Sequence, residues 1–368
     1  MVEFAGLGPA PFCGMLLADL GAEVVRIDRV DPVVGPLDGA YDVTGRGKKS
    51  IRLDVKTPPG VEIALSLIGT ADVLIEGFRP GVAERLGIGP DVCHGRNQAL
   101  VFARMTGWGQ DGPLAGDAGH DINYIALSGV LGSIGPREHP VVPLNLIGDY
   151  GGGALFLALG ILSALLSARS TGVGQVVDCS MVEGSALLMA PFHALVPDSW
   201  WSPTRQENLL DGSAPFYTTY PTSDGGHVAV GALEPQFYSA LLDLLGLASG
   251  DLPGQYDRTG WARLRIAFAE RFMTRTRDEW ADLAEGTDSC VSPVLDLIEA
   301  PGHPHNVFRG TFVREGGLTQ PGPAPRLSRT PGYAGPPPSP GQDTDAVLGS
   351  LGYSPSEIGK LRGSLIVA

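Results

Sequence analysis

The chain has 368 residues, 43% of them hydrophobic and 18% charged. That composition excludes a disordered, collagen-like or coiled-coil protein and leaves a soluble globular chain of about two domains. Its 26 Lys plus Arg face 40 Asp plus Glu, a formal charge of −14, which argues against the broad basic face that nucleic acid requires, so any anionic ligand must meet a local basic patch. Cys13, Cys93, Cys179 and Cys290 lie far apart and form no C-x-x-C pair. Neither a zinc site nor a disulfide framework is signalled, and a reducing cytoplasm is the expected location.

In chain order, Met1 to Phe4 carries no basic leader and reads as the start of a strand, Val2 to Phe4, rather than a signal peptide. The turn Gly6-Leu7-Gly8-Pro9 opens a helix from Ala10 to Leu20, stopped by Gly21. Glu23 to Ile27, Ile51 to Val55 and Val73 to Glu76 predict further buried strands separated by helical stretches, the alternation of an α/β fold with a parallel sheet. Between residues 26 and 52 the basic residues Arg26, Arg29, Arg46, Lys48, Lys49 and Arg52 outnumber the acids Asp28, Asp31, Asp38 and Asp42, a local +2. Ala154 to Leu166 is the longest strongly apolar run. It is shorter than the ~20 residues that cross a bilayer, so a buried helix is expected and no membrane.

The pattern changes around Asn208 to Phe237. Phe216 to Tyr220 and His227 to Gly231 flank Ser223-Asp224-Gly225-Gly226, the strongest hairpin signal in the chain and the expected start of a second domain. Glu234 caps, and Pro235 opens, the next helix, and helical patterns follow over Tyr238 to Leu247 and Trp261 to Leu283. Eight prolines between Pro321 and Pro340 predict an extended connector. Two short helices follow it, capped at Asp343-Thr344-Asp345 and at Ser354-Pro355-Ser356-Glu357, and their Val347, Leu348, Ile358 and Leu361 predict docking on the first domain.

Gly6-x-Gly8 after a strand, with Asp28 twenty residues on, is half of a dinucleotide-binding fingerprint, but Pro11 stands where its third glycine belongs. A scaffold turn is the better reading. A sharper constellation is Gly119-His120-Asp121-Ile122-Asn123-Tyr124 together with Asn145-Leu146-Ile147-Gly148-Asp149-Tyr150-Gly151-Gly152-Gly153. Plainly read, Asp149 is an N-cap and His120 a satisfied core histidine. Read chemically, a carboxylate at a helix start stands beside free backbone N–H groups aimed at whatever oxygen lies in front. The three glycines would let a ligand carbonyl approach the backbone.

Phe4-Ala5-Gly6-Leu7-Gly8-Pro9, Ala22 to Arg29, Glu76-Gly77-Phe78-Arg79-Pro80-Gly81, Arg104 to Gln110, Gly119 to Tyr124, Pro143 to Gly153, Leu210 to Tyr217 and Gly231 to Tyr238 together resemble the racemase branch of the family III CoA-transferase (CaiB/BaiF-like) superfamily, which acts on α-methylacyl-CoA. Ser213, Ser289 and Ser292 replace the Gly, Ala and Thr common in that family. The resemblance implies a Rossmann-like large domain over 1–190, a linker over 191–210, a small α+β domain over 211–300, a return linker over 301–340, C-terminal helices over 341–368 on the large domain, and an interlocked homodimer. It implies His120 and Asp149 as the acid/base pair, with Glu234 supporting the site from the partner subunit. Arg29, Leu53, Asp54, Val55, Arg79, Arg85, Gly119, Asp121, Ile122, Asn123 and Tyr124 would hold CoA, and Asn145 would line the thioester site.

The expected reaction is inversion at the α-carbon of a 2-methylacyl-CoA by 1,1-proton transfer between two bases through an enolate, with no metal and no cofactor beyond the CoA of the substrate. The alternative is a CoA-transferase in which Asp149 attacks the thioester. Transfer needs only the carboxylate, whereas inversion needs His120 as well.

Overall fold

A computed structural model describes residues 1–31 and 41–368; Asp38 of the basic stretch lies outside them. The chain falls into two compact units, Met1–Val130 with Pro143–Met189 and Val307–Ala368, and Leu131–Val142 with Ala190–Asn306. The segment Leu131–Val142, read from sequence as part of one continuous large domain, groups with the second unit.

The first unit is built on six parallel strands, β1 (Val2–Phe4), β2 (Val25–Asp28), β3 (Lys49–Arg52), β4 (Val73–Glu76), β5 (Val101–Thr106) and β6 (Val176–Ser180), in the order β3-β2-β1-β4-β5-β6. A parallel sheet is covered on both faces, and its strands are accordingly apolar on both. Leu74 and Phe102 enter one core with Ile63, Ile68 and the C-terminal Val347, Leu348 and Ile358. Val73, Ile75, Val101 and Ala103 enter the other with Leu157 and Ile161. The order reverses between β1 and β4, the topological switch point where such sheets open a crevice at their carboxyl ends.

β5 and β6 carry Arg104 and Asp178, which obscure them as core strands in the sequence. Arg104 is tolerated because Nε donates to Glu76 at 2.8 Å and Nη1 to Glu84 at 2.9 Å. The third strand ends earlier than expected because the C-terminus takes over its continuation: Leu53 bridges Val367, and the Asp54 N–H donates to the Ile366 carbonyl at 2.9 Å. The tail therefore docks on the first unit, through helices Thr344–Ser350 and Pro355–Gly363, the latter closed by a Ser354/Glu357 capping box. A hairpin of β10 (Phe312–Glu315) and β11 (Leu318–Pro321) precedes the proline-rich connector.

In the second unit, β7 (Tyr217–Pro221), β8 (His227–Gly231) and β9 (Val291–Pro293) form an antiparallel sheet. It packs with Phe216, Leu241, Phe268, Phe272 and Trp280 around one core. The single helical stretch expected over 261–283 is two helices, Trp261–Phe272 and Arg277–Ala284, because Thr276 and Glu279 form a capping box that starts the second.

The apolar run around residue 160 belongs to a longer helix than expected. Leu146–Thr171 is 26 residues long and reaches a mean hydropathy of 1.9 over its most apolar 18-residue window, by length and composition enough to cross a membrane. Only one face is buried, against β5 and β6 through Leu157, Ile161, Ala164 and Ala168. The other presents Leu155, Leu159, Leu162 and Leu166 to solvent, correcting the expectation of a wholly buried helix.

Beneath β1, Lys48 Nζ donates to both carboxylate oxygens of Glu3 at 2.7 Å and to the Pro11 carbonyl at 2.9 Å, in full burial. Burial pushes the Glu3 carboxyl up to about 7 against the opposing pull of Lys48. Gly14 is required here, since a Cβ would lie 1.7 Å from Glu3 Oε2. Removing one member leaves an unpaired buried charge, whereas removing both does not. Lys48→Met should therefore destabilise the chain by about 3–5 kcal/mol in chemical denaturation. Adding Glu3→Gln should recover most of the loss, and equal stability of the single and double variants would contradict this.

Candidate active site

Loops from the carboxyl ends of β1, β4 and β5 meet the Ala115–His120 segment around a cavity of about 350 Å³, a size suited to a small ligand. It is lined by Leu7 to Ala10, Gly77 to Pro80, Met105 to Trp108, Gly119, His120, Tyr124, Asp149 and Met181. It lies at the β1/β4 switch point, and His120 and Asp149 share it.

Asp149 reaches it from an unusual helix. Leu144 sits in the left-handed region at φ 58°, costly for a branched side chain. The chain then enters a π-helix, Leu146–Ala154, that runs on as the α-helix Leu155–Thr171. A π-turn of this kind is rare and clusters at functional sites. Asp149 is inside this turn and is not its N-cap, which is Asn145. Its backbone N–H donates to Asp121 Oδ2 at 2.7 Å, and its Oδ2 accepts from Asn145 Nδ2 at 2.9 Å. Burial lifts the Asp149 carboxyl above the usual aspartate range; the Asn145 hydrogen bond opposes that, the Asp121 charge reinforces it, and His120 opposes it.

The glycines have duties other than those expected. Gly8, at φ 71°, would carry a Cβ 3.2 Å from Asp149 Oδ2, so the turn that suggested a dinucleotide makes room for a carboxylate. A Cβ on Gly152 would lie 2.5 Å from the Ser185 amide nitrogen, and one on Gly184 only 1.8 Å from the Gly152 carbonyl oxygen. The Gly151–Gly153 run lets the π-helix pack against the helix Met181–Leu188, and none of the three glycines lines the cavity.

His120 caps the helix Asp121–Leu127 and is exposed to the cavity rather than buried as a core histidine; its N–H donates to Asn123 Oδ1 at 3.0 Å. Tyr124 is clamped behind it, its hydroxyl donating to the Gly119 carbonyl at 2.5 Å and its ring set edge-on to Trp108 at 4.7 Å. Burial raises the Tyr124 phenol, with Asp149 adding to the shift. Arg79 enters on a loop held by Glu76, whose Oε2 accepts the Phe78 N–H at 2.6 Å while Oε1 pairs with Arg104.

The cavity thus brings together Arg79, Gly119, His120, Tyr124 and Asp149, with Asn145 and Asp121 bonded to Asp149. Ile122 and Asn123 are exposed on the neighbouring helix. Arg29 and Arg85 are exposed and form no ion pair with a described residue; neither they nor Leu53, Asp54 and Val55 line the cavity. Leu53 is buried in the core. Glu234 lies in the second unit, exposed, as N-cap of the helix Pro235–Leu245.

Four of the six cations of the basic stretch are already paired within the chain, which leaves Arg29 and Arg52 outside those ion pairs. Arg26 pairs with Asp28 at 3.1 Å and Asp42 at 2.5 Å. Arg46 is bonded to Asp19, to Gln320 at 2.8 Å and to the Pro321 carbonyl at 2.7 Å. Lys48 is spent on Glu3, and Lys49 pairs with Glu23 at 2.5 Å. Leu7, Phe78, Met105, Trp108 and Met181 are cavity residues that sequence reasoning did not single out; strand-end loops at the switch point were the available signal.

The tight packing behind His120 gives a test. A Cβ on Gly107 would lie 2.1 Å from the Tyr124 ring, whereas one on Gly116 meets nothing within 4 Å. Gly107→Ala should displace Tyr124, costing about 1–3 kcal/mol and changing the near-UV circular dichroism of Trp108. Gly116→Ala should do neither, and indistinguishable melting and spectra for the two variants would contradict the packing.

Residues 1–344 match the model of CoA-transferase family III. The chain is 47% identical over 371 residues to alpha-methylacyl-CoA racemase of Mus musculus and 46% identical over 373 residues to that of Homo sapiens, in both cases over 100% of this chain and 96% of the relative. Among solved structures, a CaiB/BaiF family protein from Brucella suis superposes with a TM-score of 0.82 at 24% identity, over 95% of this chain and 97% of that one.

Proposed function

This chain belongs to CoA-transferase family III, and on that premise we propose that it is an alpha-methylacyl-CoA racemase, inverting the α-carbon of a 2-methylacyl-CoA thioester. The observation that carries this reading is the presence of an imidazole and a half-buried carboxylate, His120 and Asp149, in one cavity. Inversion removes a proton from one face of the carbon and returns one to the other, so it takes a base on each face. Asp149 serves one face and His120 the other, exchanging acid and base roles with the direction of reaction. The burial that raises the Asp149 proton affinity suits it to this exchange.

Acid–base help alone is worth ~10²–10⁴-fold, too little for a weakly acidic C–H, so the enolate oxygen needs donors. The Asp149 amide is committed to Asp121, which removes it from that role. The amides of Asp121 and Ile122, first in the helix that His120 caps, have no partner within that helix and follow His120 directly in the chain. We assign the enolate oxygen to them. Arg79 contributes a cation at the cavity wall for the CoA phosphates, and exposed Arg29 and Arg85 extend that charge. The thioester carbonyl of the substrate itself acidifies the α-proton and takes up the enolate charge, so the proposed reaction calls for no cofactor beyond the substrate's CoA.

The outer row of Leu155, Leu159, Leu162 and Leu166, four apolar side chains at helical spacing, supports a homodimer that covers them. In it Glu234 of the partner subunit completes the site beside His120. The free, mostly buried cysteines accord with a reducing cytoplasmic location.

A single-enantiomer 2-methylacyl-CoA in D₂O should gain α-deuterium and lose configuration without any acceptor carboxylate, and His120→Ala and Asp149→Ala should each abolish inversion. Because the Asp149 carboxyl is raised, activity should fall as pH drops through a value above the usual aspartate range. CoA transfer to an acceptor without α-exchange would make Asp149 a nucleophile and overturn the racemase reading.

A further inference from the structure

We propose that Asp121 is a positioning residue for Asp149: its buried side chain holds the Asp149 backbone in the π-turn and sets a fixed negative charge behind the Asp149 carboxylate. The proposal rests on the racemase reading for its consequence in catalysis, and on geometry for itself. Asp121 is 6% exposed, so its side chain is unavailable to hold CoA as the family resemblance implied. Its Oδ2 accepts the Asp149 N–H at 2.7 Å, while Oδ1 is buried with no hydrogen-bond partner among the described residues. A buried carboxylate with one oxygen unmet is costly and calls for a reason. Room is made for it: a Cβ on Gly148 would lie 2.5 Å from Asp121 Oδ2.

The charge acts on its neighbour. Two carboxylates at close range disfavour joint ionisation, so Asp121 increases the affinity of Asp149 for a proton. Of the other groups around Asp149, His120 and the Asn145 amide act in the opposite sense. Arg79, Asp117 and Tyr124 share its cavity. A base that must lift a proton from carbon gains from that added affinity, and an oxygen supplied by Asp121 also keeps the π-turn from slipping into α-helical register.

Asp121→Asn keeps an acceptor for the Asp149 amide and removes the charge; Asp121→Ser removes the charge without burying an amide group, and serves if the Asn variant does not fold. Carboxyl-carbon NMR of the full-length protein, with the Asp149 signal assigned by its loss in Asp149→Asn, reads the titration directly. In either variant the Asp149 midpoint should move to lower pH, the acid limb of α-deuterium exchange should move with it, and kcat should fall while KM for the acyl-CoA stays near that of the parent. An unmoved midpoint, or a raised KM with an unmoved limb, would overturn the proposal. A moved midpoint in a protein that never exchanges the α-proton would instead sink the racemase reading and leave the coupling of the two aspartates standing.

Discussion

A carboxylate has to be kept half out of water and beside an imidazole, and much of the first unit is arranged around that demand. Asp149 is lifted in proton affinity chiefly by burial, and burial requires walls. Gly8 supplies a wall without a side chain, Tyr124 and Trp108 supply a rigid one, and the π-turn turns the carboxylate toward them. The cavity opens where the strand order reverses because that is where loops from β1 and β4 diverge.

Charge is handled differently elsewhere in the same unit. Glu3 with Lys48, and Asp19 with Arg46, are buried and paired, so they organise the sheet and its connector rather than reach for ligand. Glu76 and Arg104 lie between these roles: buried and paired, they hold the Phe78 amide and so present Arg79 to the cavity. In an acidic protein that binds an anionic substrate, the cations left in solvent matter more than the total. Arg29, Arg79 and Arg85 are such cations.

Much of this was legible in the residues. The β1, β2 and β4 strands, the hairpin around Ser223–Gly226, the Glu234 cap and the docking C-terminal helices follow from apolar runs, turn chemistry and capping, which are local. His120 and Asp149 were legible as a pair, but not Asp149's environment. An aspartate before three glycines reads as an N-cap, whereas Asn145 takes that place and Asp149 sits a turn further in, an outcome decided by the contact with Asp121 twenty-eight residues away. The same non-locality hid β5, whose Arg104 is neutralised by Glu76 on β4 and by Glu84 on a helix. It also hid the burial of Arg26, Arg46 and Lys48, because a count of charges along the chain cannot show which are already paired.

The claim on which the chemistry depends is that the two bases address opposite faces of one carbon. It is tested most directly by following α-deuterium uptake from each enantiomer separately in Asp149→Asn and in His120→Ala. Each variant should retain exchange with one enantiomer and lose it with the other, and the two variants should retain opposite ones. Exchange surviving or vanishing alike for both enantiomers in both variants would mean that the residues do not divide the two faces between them.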